Sequence, residues 1–318
     1  MANAREIQNR IKSIQDTMKI TNAMYMMSSM KLRKAKKKLE DTEPYFIELQ
    51  KIISEILLHF PDMRHMYFDN RAKDMQERVK KKGYVIITGD KGLAGAYNHN
   101  VMKEAQRLVD ESSDYKLYIV GELGRSYFGR NGYNVDSAFC YSANNPSMHR
   151  ARVIAEYLLK LYKEEELDEI DIVFTNMNSS ISEEVVVKQL LPLKTHNFIK
   201  QELMDDMVSS KQEYDAETLE KADDWYLIYP SPRKVLEKVV YNYVTGFVYG
   251  ALVEGSASEE NARMLAMQSA TENAQAMLKE LSVEYNRVRQ AAITQEITEV
   301  IGGAKALKKK KMKQRQER

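Results

Sequence analysis

Two long stretches, one near each end of the chain, carry apolar or small residues at alternating steps of three and four. Residues 5–60 contain no glycine and only one proline, Pro44, whereas residues 258–307 contain no proline and no glycine before Gly302. The positions that keep this spacing in the first stretch are Ile7, Ile11, Ile14, Met18, Thr21, Tyr25, Ser28, Leu32, Ala35 and Leu39. Those in the second stretch are Met264, Met267, Thr271, Ala274, Leu278, Leu281, Tyr285, Val288 and Ala292. This spacing, flanked by polar and charged residues, predicts two helices that each bury a narrow seam against a partner, as in a coiled coil.

Each of these helices is the predicted partner of the other. Fifty helical residues extend roughly 75 Å, far beyond an ordinary domain helix. Because the two helices come from opposite termini and the rest of the chain connects them, they are expected to pair antiparallel. Pro44 is expected to kink or weaken the first helix and Pro61 to end it, since proline lacks a backbone N–H and clashes with the preceding turn.

The middle of the chain has a different pattern of apolar positions, in which short apolar runs typical of strands alternate with helical spacing. Strands are predicted at residues 84–88, 115–120 and 170–175. A helix follows the first of these, and another is predicted near 147–163. The alternation predicts a parallel sheet covered by helices. Residues 184–191 and 195–199 are candidates for additional edge strands.

A domain organisation follows from these patterns. It comprises an N-terminal coiled-coil helix over 1–60, a linker or insertion over 61–82, an α/β domain over 83–210, a loop and C-terminal coiled-coil helix over 211–307, and a basic tail over 308–318. Residues 305–318 carry eight Lys/Arg and one Glu, a net charge of +7, so the rest of the chain carries 2 − 7 = −5. The tail is expected to be a poorly ordered, solvated extension.

Composition limits the class of protein. Charged residues make up 30% of the chain, and no run of 18 apolar residues occurs, so no transmembrane helix is predicted. The first ten residues lack the apolar core of a secretory signal. The single cysteine, Cys140, excludes an internal disulfide and suits a reducing compartment.

A glycine-containing loop, GDKGLAG, is the best candidate for chemistry in the α/β domain. Gly89, Gly92 and Gly95 follow a strand and precede a helix, where a phosphate loop would lie. A nucleotide loop ends in Gly-Lys-Ser/Thr, however, and here Ala96 and Tyr97 follow the last glycine. The pattern therefore favours a tight strand-to-helix turn. The five histidines show no metal-ligand spacing, so neither catalysis, a metal nor a cofactor is predicted.

The basic run between Lys31 and Lys38 places six positive charges within eight helical residues. It is most simply a solvated helix face. A nucleic-acid surface would call for aromatic platforms nearby, which are missing from this stretch. An acidic protein partner, met electrostatically, is the third interpretation.

Three long motifs resemble one known family. IQNRIKSIQDTMKITNAMYMMSSMKLRKA resembles the opening helix of the gamma subunits of F-type ATP synthases, in their bacterial form. The matching positions are Ile7, Ile11, Ser13, Thr17, Lys19, Ile20, Thr21, Ala23, Met24 and Met26. GDKGLAGAYN is similar to the family's glycine loop, and SEENARMLAMQSATENA with YNRVRQAAITQEITEVIGGA to its C-terminal signature. The motifs occur in the family's order and cover the chain to Leu307, apart from an apparent insertion near 64–82.

The resemblance implies a fold and a function. The fold would be α/β, with a long antiparallel coiled coil of the terminal helices and a central Rossmann-like domain. The chain would be the rotor shaft that transmits torque between a proton-driven membrane ring and a catalytic hexamer. Its partners would be the alpha, beta and epsilon subunits and the c-ring, with no nucleic acid. It would itself be non-catalytic and peripheral, attached through the complex to the cytoplasmic face of the bacterial cell membrane.

The resemblance also implies individual partner-binding residues. Met24 matches a methionine near the tip of the beta subunit's acidic lever, and the adjacent basic stretch facing that lever supplies Lys31, Arg33 and Lys34. On the C-terminal helix, the positions that match contacts with the hexamer are Arg289, Gln290 and Thr294. Lys91 lies in the glycine loop, where the family has arginine or lysine. Tyr226 and Tyr229 lie in WYLIYPSP, which is similar to a segment that approaches the ring, although Tyr229 replaces a common glutamate.

Two other classes of protein remain open from the residues alone. A coiled-coil scaffold or nucleic-acid-binding rod predicts salt-dependent association with DNA or with many partners. An enzyme built on the α/β domain predicts nucleotide binding by that domain, which the missing Gly-Lys-Ser/Thr disfavours.

Overall fold

The computed structural model describes residues 4–60, 65–68, 80–177, 179, 182–195, 197–198 and 228–316. Its elements in chain order are α1 (Ala4–His59), β1 (Lys82–Ile87), α2 (Tyr97–Asp110), β2 (Tyr115–Val120), α3 (Glu122–Arg130), α4 (Met148–Lys163), β3 (Glu169–Met177), β4 (Glu183–Leu191) and α5 (Pro232–Gln316). The chain divides into two compact units. One comprises residues 1–27 and 264–318, and the other comprises residues 28–263.

A mixed sheet forms the centre of the larger unit. Its strand order is β2-β1-β3-β4, with β1 parallel to both β2 and β3 and with β4 antiparallel to β3. The predicted parallel strands are therefore confirmed, and 184–191 is an edge strand as expected. The core between the sheet and α2 and α3 is formed by Tyr84, Ile86, Val101, Ala105, Val109, Leu117, Ile119, Phe128 and Val173.

The second proposed edge strand, 195–199, is wrong. The described residues Thr195, Asn197 and Phe198 are helical. The backbone N–H of Asn197 donates to the carbonyl of Lys194 at 3.0 Å, which closes a turn instead of joining the sheet. Just before this segment, Leu193 forms an isolated β-bridge with Phe68, which belongs to no strand.

Helix α1 runs without interruption from Ala4 to His59 and ends just before Pro61. Pro44 lies inside it and does not break it. Near this proline, α1 packs closely on α5. A Cβ atom added to Gly246 would lie 1.5 Å from Cε1 of Phe46, so only glycine fits against this ring.

Helix α5 begins at Pro232, well before the predicted start at Ser258. Proline suits the first helical position, and the Ser231 hydroxyl accepts a hydrogen bond from the backbone N–H of Lys234 at 3.4 Å. The added segment is a buried helix whose fully buried positions recur every four residues, at Leu236, Val240, Val244, Val248 and Leu252. Its β-branched and glycine-containing composition hid the helix from the periodicity that marks the later seam.

The two long helices are antiparallel, as predicted. In the larger unit, Phe46 of α1 lies against Gly246 of α5, and Lys31 pairs with Glu260. Residue numbers thus fall along one helix as they rise along the other. In the smaller unit, the hydroxyls of Thr21 and Thr271 are 2.8 Å apart.

The predicted seam is confirmed over most of its length. Every N-terminal seam position from Ile7 to Leu39 is buried or half-buried, and so are the C-terminal positions from Met264 to Val288. Ala292 is exposed, so the seam ends at Val288 and not at Ala292.

The basic tail differs from expectation. Helix α5 continues to Gln316, through Gly302 and Gly303, so residues 308–316 are helical rather than poorly ordered. Lysine, glutamine and arginine are good helix formers, and a tail built from them continues a helix despite about 1 kcal/mol lost at each glycine.

Candidate functional site

The glycine loop after β1 is closed by groups of its own chain. The backbone N–H of Gly89 donates to Oδ1 of Asn98 at 2.7 Å. One carboxylate oxygen of Asp90 accepts from the backbone N–H of Glu122 at 3.1 Å, and the other accepts from the Ser142 hydroxyl at 2.5 Å and the Asn144 N–H at 3.0 Å. Asp90 therefore supplies a negative charge at the start of α3, where backbone N–H groups lack partners within the helix.

The ionisation of Asp90 agrees with this structural role. Burial alone would raise the pKa of its carboxyl group. The hydrogen bonds from Ser142 and from the backbone N–H groups of Asn144, Ala143 and Glu122 outweigh burial and lower the pKa. A permanent negative charge thus holds the loop to α3 and to the 142–144 segment. This arrangement favours the predicted turn over a phosphate site.

A cluster of charged residues on α5 joins this loop to both long helices. Glu259, Glu260 and Arg263 are 5%, 5% and 7% exposed. Arg263 donates to Glu259, lies 3.0 Å from Oε1 of Glu260, and donates to the backbone carbonyls of Lys91 and Gly92 at 3.3 and 3.4 Å. We call Glu259, Glu260 and Arg263, together with Lys31, the junction cluster.

Lys31 connects this cluster to α1. Its ammonium group lies 2.8 Å from Oε1 of Glu260. Burial would raise the pKa of Glu260, but hydrogen bonds from Lys31 and Ser28 and the charge of Arg263 lower it. Burial raises the pKa of Glu259, and Arg263 opposes this rise. Arg263 is thus the cation that both carboxylates share, and Lys31 is a second cation for Glu260.

The loop also needs glycine where the junction cluster touches it. A Cβ atom on Gly89 would lie 2.7 Å from Oε1 of Glu259. Substitution at this position would push the Glu259 carboxylate away from Arg263. The close approach explains one of the three glycines without invoking a ligand.

The predicted partner-binding residues fall in both units and are described unit by unit. In the larger unit, Lys31 belongs to the junction cluster, whereas Arg33 and Lys34 are exposed on α1. The side chain of Lys91 is exposed and only its carbonyl joins the cluster. Tyr229 is 89% exposed, and Tyr226 lies outside the described residues.

The other predicted residues belong to the smaller unit. Met24 is half-buried on α1, and Arg289, Gln290 and Thr294 are exposed on α5. The Thr294 hydroxyl donates to the carbonyl of Gln290 at 2.9 Å, a bond within the helix.

The sequence interpretation missed Asp90, Glu259, Glu260 and Arg263. A partial signal was present, because Glu259 and Arg263 are four residues apart, a spacing that lets opposite charges pair on a helix. Nothing local indicated that the pair is buried or that it holds a loop distant in sequence.

Neither a metal centre nor a membrane span is found in the described part of the chain. Its His, Cys, Asp and Glu side chains form no group of three or more that could hold a metal ion. None of its helices is long and apolar enough to cross a membrane.

This architecture defines a class of protein. Two long antiparallel helices accompany a small α/β domain whose charged groups bind one element to another, as expected of a structural stalk component. A family model described as ATP synthase matches residues 3–307. The ATP synthase gamma chain of Acetivibrio thermocellus is 43% identical over 309 residues, which cover 97% of this chain and all of that protein. The gamma chain of Ruminiclostridium cellulolyticum is 42% identical over 306 residues, 96% of this chain and 99% of that protein.

Solved structures agree on the fold. A chain in a cryo-EM structure of the Euglena gracilis mitochondrial ATP synthase matches with a TM-score of 0.60 and 18% identity, over 96% of this chain and 94% of that one. The chain belongs to the ATP synthase gamma chain family. A gamma chain is the non-catalytic central stalk of the F1 rotor, and the catalytic sites lie on the beta subunits.

Proposed function

We propose that this chain transmits torque between an ion-driven membrane ring and the alpha/beta hexamer, at the cytoplasmic face of a bacterial cell membrane. Its partners in this role are the alpha, beta and epsilon subunits and the c-ring. The observation that carries the proposal is α5, a single helix of 85 residues. One end of it is buried beside the sheet, and the same uninterrupted backbone continues to the C-terminal tip.

The exposed end of α5 supports contact with a surrounding partner. From Arg289 to Leu307 every residue is exposed. Among them are apolar side chains on successive turns, with Ile293 46%, Ile297 54% and Val300 72% exposed. Apolar groups grouped in this way indicate an interaction surface. A hexamer that encloses the helix would cover them.

Arg289, Gln290 and Thr294 are proposed contacts with this hexamer. They lie within the exposed stretch, on the first turns after the seam ends. Met24 is proposed to face the acidic lever of the beta subunit. It lies half-buried beside the seam on α1, so only part of its side chain is available to a partner.

The basic stretch is also proposed to face the lever, with a division of roles. Lys31 is already paired with Glu260, so its charge is largely compensated within the chain. Arg33 and Lys34 are exposed and are the residues that would meet an acidic partner. The exposed side chains of Lys91 and Tyr229 are proposed contacts at the foot, and so is Tyr226.

A helix-breaking substitution tests the torque proposal. Glu280 is exposed on α5. Glu280→Pro should kink and weaken the helix at a cost of about 3 kcal/mol, whereas Glu280→Ala should leave it intact. Each variant would be assembled with the alpha, beta and epsilon subunits and the membrane ring, and ATP-driven ion transport would be measured per ATP hydrolysed.

We expect the alanine variant to transport normally and the proline variant to hydrolyse ATP with reduced transport. Co-purification with the alpha and beta subunits would first establish that both variants assemble. Transport by an assembled proline variant at the alanine level would refute torque transmission through α5.

A further inference from the structure

A cavity of about 270 Å³ lies between α1 and the segment that precedes α4. Its lining residues are Lys31, Lys34, Ala35, Lys38, Asn144, Asn145, Pro146, Ser256 and Glu260. The three lysines are spaced i, i+3 and i+7, so they project from one face of α1 into the same cavity. Three ammonium groups against one carboxylate give the lining a formal charge of 3 − 1 = +2.

The one carboxylate does not neutralise this cavity. Glu260 is bound to Arg263 as well as to Lys31, so its negative charge is shared with a cation outside the lining. Among the residues that line the cavity, Lys34 and Lys38 therefore supply positive charge that no lining carboxylate compensates.

The wall of the cavity opposite α1 is formed by residues 144–146 and is held in place by hydrogen bonds from Lys38. The ammonium group of Lys38 donates to the carbonyl of Pro146 at 2.9 Å and to Oδ1 of Asn145 at 3.4 Å. The backbone of Asn145 has φ of 48°, a left-handed conformation that asparagine tolerates well. With its oxygen directed to Lys38, the Asn145 amide would meet a bound anion through Nδ2. Ser256 adds a hydroxyl from α5.

The positive charges of Lys34 and Lys38 repel each other, and an anion bound between them would reduce this repulsion. Burial, followed by the neighbouring charge of Lys34, lowers the pKa of Lys38. A ligand with two or more negative charges between these ammonium groups would replace repulsion with charge-assisted hydrogen bonds.

We propose that this cavity binds a small phosphate-class anion, held by Lys34 and Lys38 and oriented by Asn145 and Ser256. Orthophosphate and pyrophosphate share the chemistry that the site recognises, namely several charged oxygens on a tetrahedral centre. The proposal does not depend on the chain's part in torque transmission.

Calorimetric titration of the purified full chain with orthophosphate and with pyrophosphate tests the proposal, with acetate at matched ionic strength as the non-phosphate anion. The test variant is Lys34→Gln/Lys38→Gln. The matched control is Lys36→Gln/Lys37→Gln, which removes the same charge from the same helix at two exposed positions outside the cavity.

We expect saturable binding of at least one phosphate ligand and none of acetate. The dissociation constant should rise about tenfold or more in the test variant and change little in the control. Tighter binding of pyrophosphate than orthophosphate would identify a diphosphate ligand. Equal weakening in both variants would show non-specific attraction to the basic helix and overturn the proposal, as would the absence of saturable binding.

Because Lys38 also holds the 145–146 segment, its loss could disturb the fold. Lys34→Gln alone avoids this problem, and Asn145→Gly keeps the backbone conformation while removing the amide. Both should weaken phosphate binding without changing the thermal unfolding midpoint of the chain. Unchanged affinity in both variants would also refute the site.

Discussion

The single side chain on which most contacts of the junction converge is Arg263. It bridges two buried carboxylates on its own helix and two carbonyls of the glycine loop. Buried ion pairs add little net stability when complete, but removing one partner is severe because the other charge stays buried. Loss of Arg263 should therefore lower the stability of the folded chain by more than the number of its hydrogen bonds alone would indicate.

We predict that Arg263→Ala destabilises the chain by about 3–5 kcal/mol. Arg107 of α2 provides the matched control, because it also bridges two glutamates, Glu104 on the same helix and Glu111 directly after it, but at the surface. Arg107→Ala should cost far less, because solvent screens its ion pairs. Denaturant unfolding of the two variants and the parent chain measures both values. Similar losses in the two variants would contradict the role assigned to burial.

The cost of Arg263→Ala should also depend on pH. Without the arginine, burial acts unopposed on Glu259 and raises its folded-state pKa further above the ordinary 4.5. A carboxyl group with a raised folded pKa contributes stability below its unfolded pKa, which is lost as pH rises through the folded pKa. The destabilisation should therefore be larger at about pH 8 than at about pH 5.

Asp90 shows, at the same scale, what sequence can and cannot reveal. The missing Gly-Lys-Ser/Thr predicted that the glycine loop is a turn, because that requirement is local. Which groups would close the turn was not predictable, because Ser142 and Asn144 lie more than fifty residues away. The loop is held by a carboxylate whose partners are brought together only by the fold.

At the scale of elements, the helix patterns were readable only where each helix has one buried face. The seam of α1 and of α5 from Met264 to Val288 follows the three-four spacing that one-sided burial imposes. The start of α5 is surrounded more fully and is rich in valine and tyrosine, so periodicity alone does not separate it from a strand. The parallel strands were readable because continuous apolar runs mark burial on both faces.

Two glycines one turn apart in this buried part of α5 should respond oppositely to alanine. Gly246→Ala places a methyl group where the Phe46 ring lies, and we expect a loss of about 1–3 kcal/mol from overpacking. A Cβ atom added to Gly250 would meet no neighbouring group within 4 Å, so Gly250→Ala should stabilise the helix by about 0.5–1 kcal/mol. Thermal unfolding of both variants measures the difference. A Gly246→Ala chain as stable as the parent would show that the helices separate readily.

At the scale of the whole molecule, the turns of α5 differ widely in how far other parts of the chain bury them. Its early turns are buried beside the sheet, its middle is covered along a seam, and its turns from Arg289 to Leu307 are exposed on all sides. Helices of marginal intrinsic stability depend on packing, so opening should become easier towards the exposed end.

Hydrogen exchange should report this gradient. In the isolated chain, backbone amides after Val288 should exchange faster than those between Met264 and Val288. Assembly with the alpha and beta subunits should slow exchange after Val288 and leave the buried turns near Val240 nearly unchanged. Equal protection across α5 in the isolated chain would mean that its exposed end is stabilised by something other than a partner.

The unbroken stretch of α5 between Thr271 and Arg289 has a consequence for insertions and deletions. Each helical residue advances the chain by 1.5 Å and turns it by about 100°. One added residue would hardly change the length of the helix, yet it would swing Arg289 and Thr294 about a quarter-turn or more away from their direction relative to Thr271. Seven added residues would nearly restore the direction, since seven steps come within about 20° of two full turns. Eleven added residues would do so equally well, since eleven steps come within about 20° of three full turns. Among natural variants, length changes in this stretch should therefore be absent or should add or remove such numbers of residues, because the residue count sets the angle between Thr271 and Arg289.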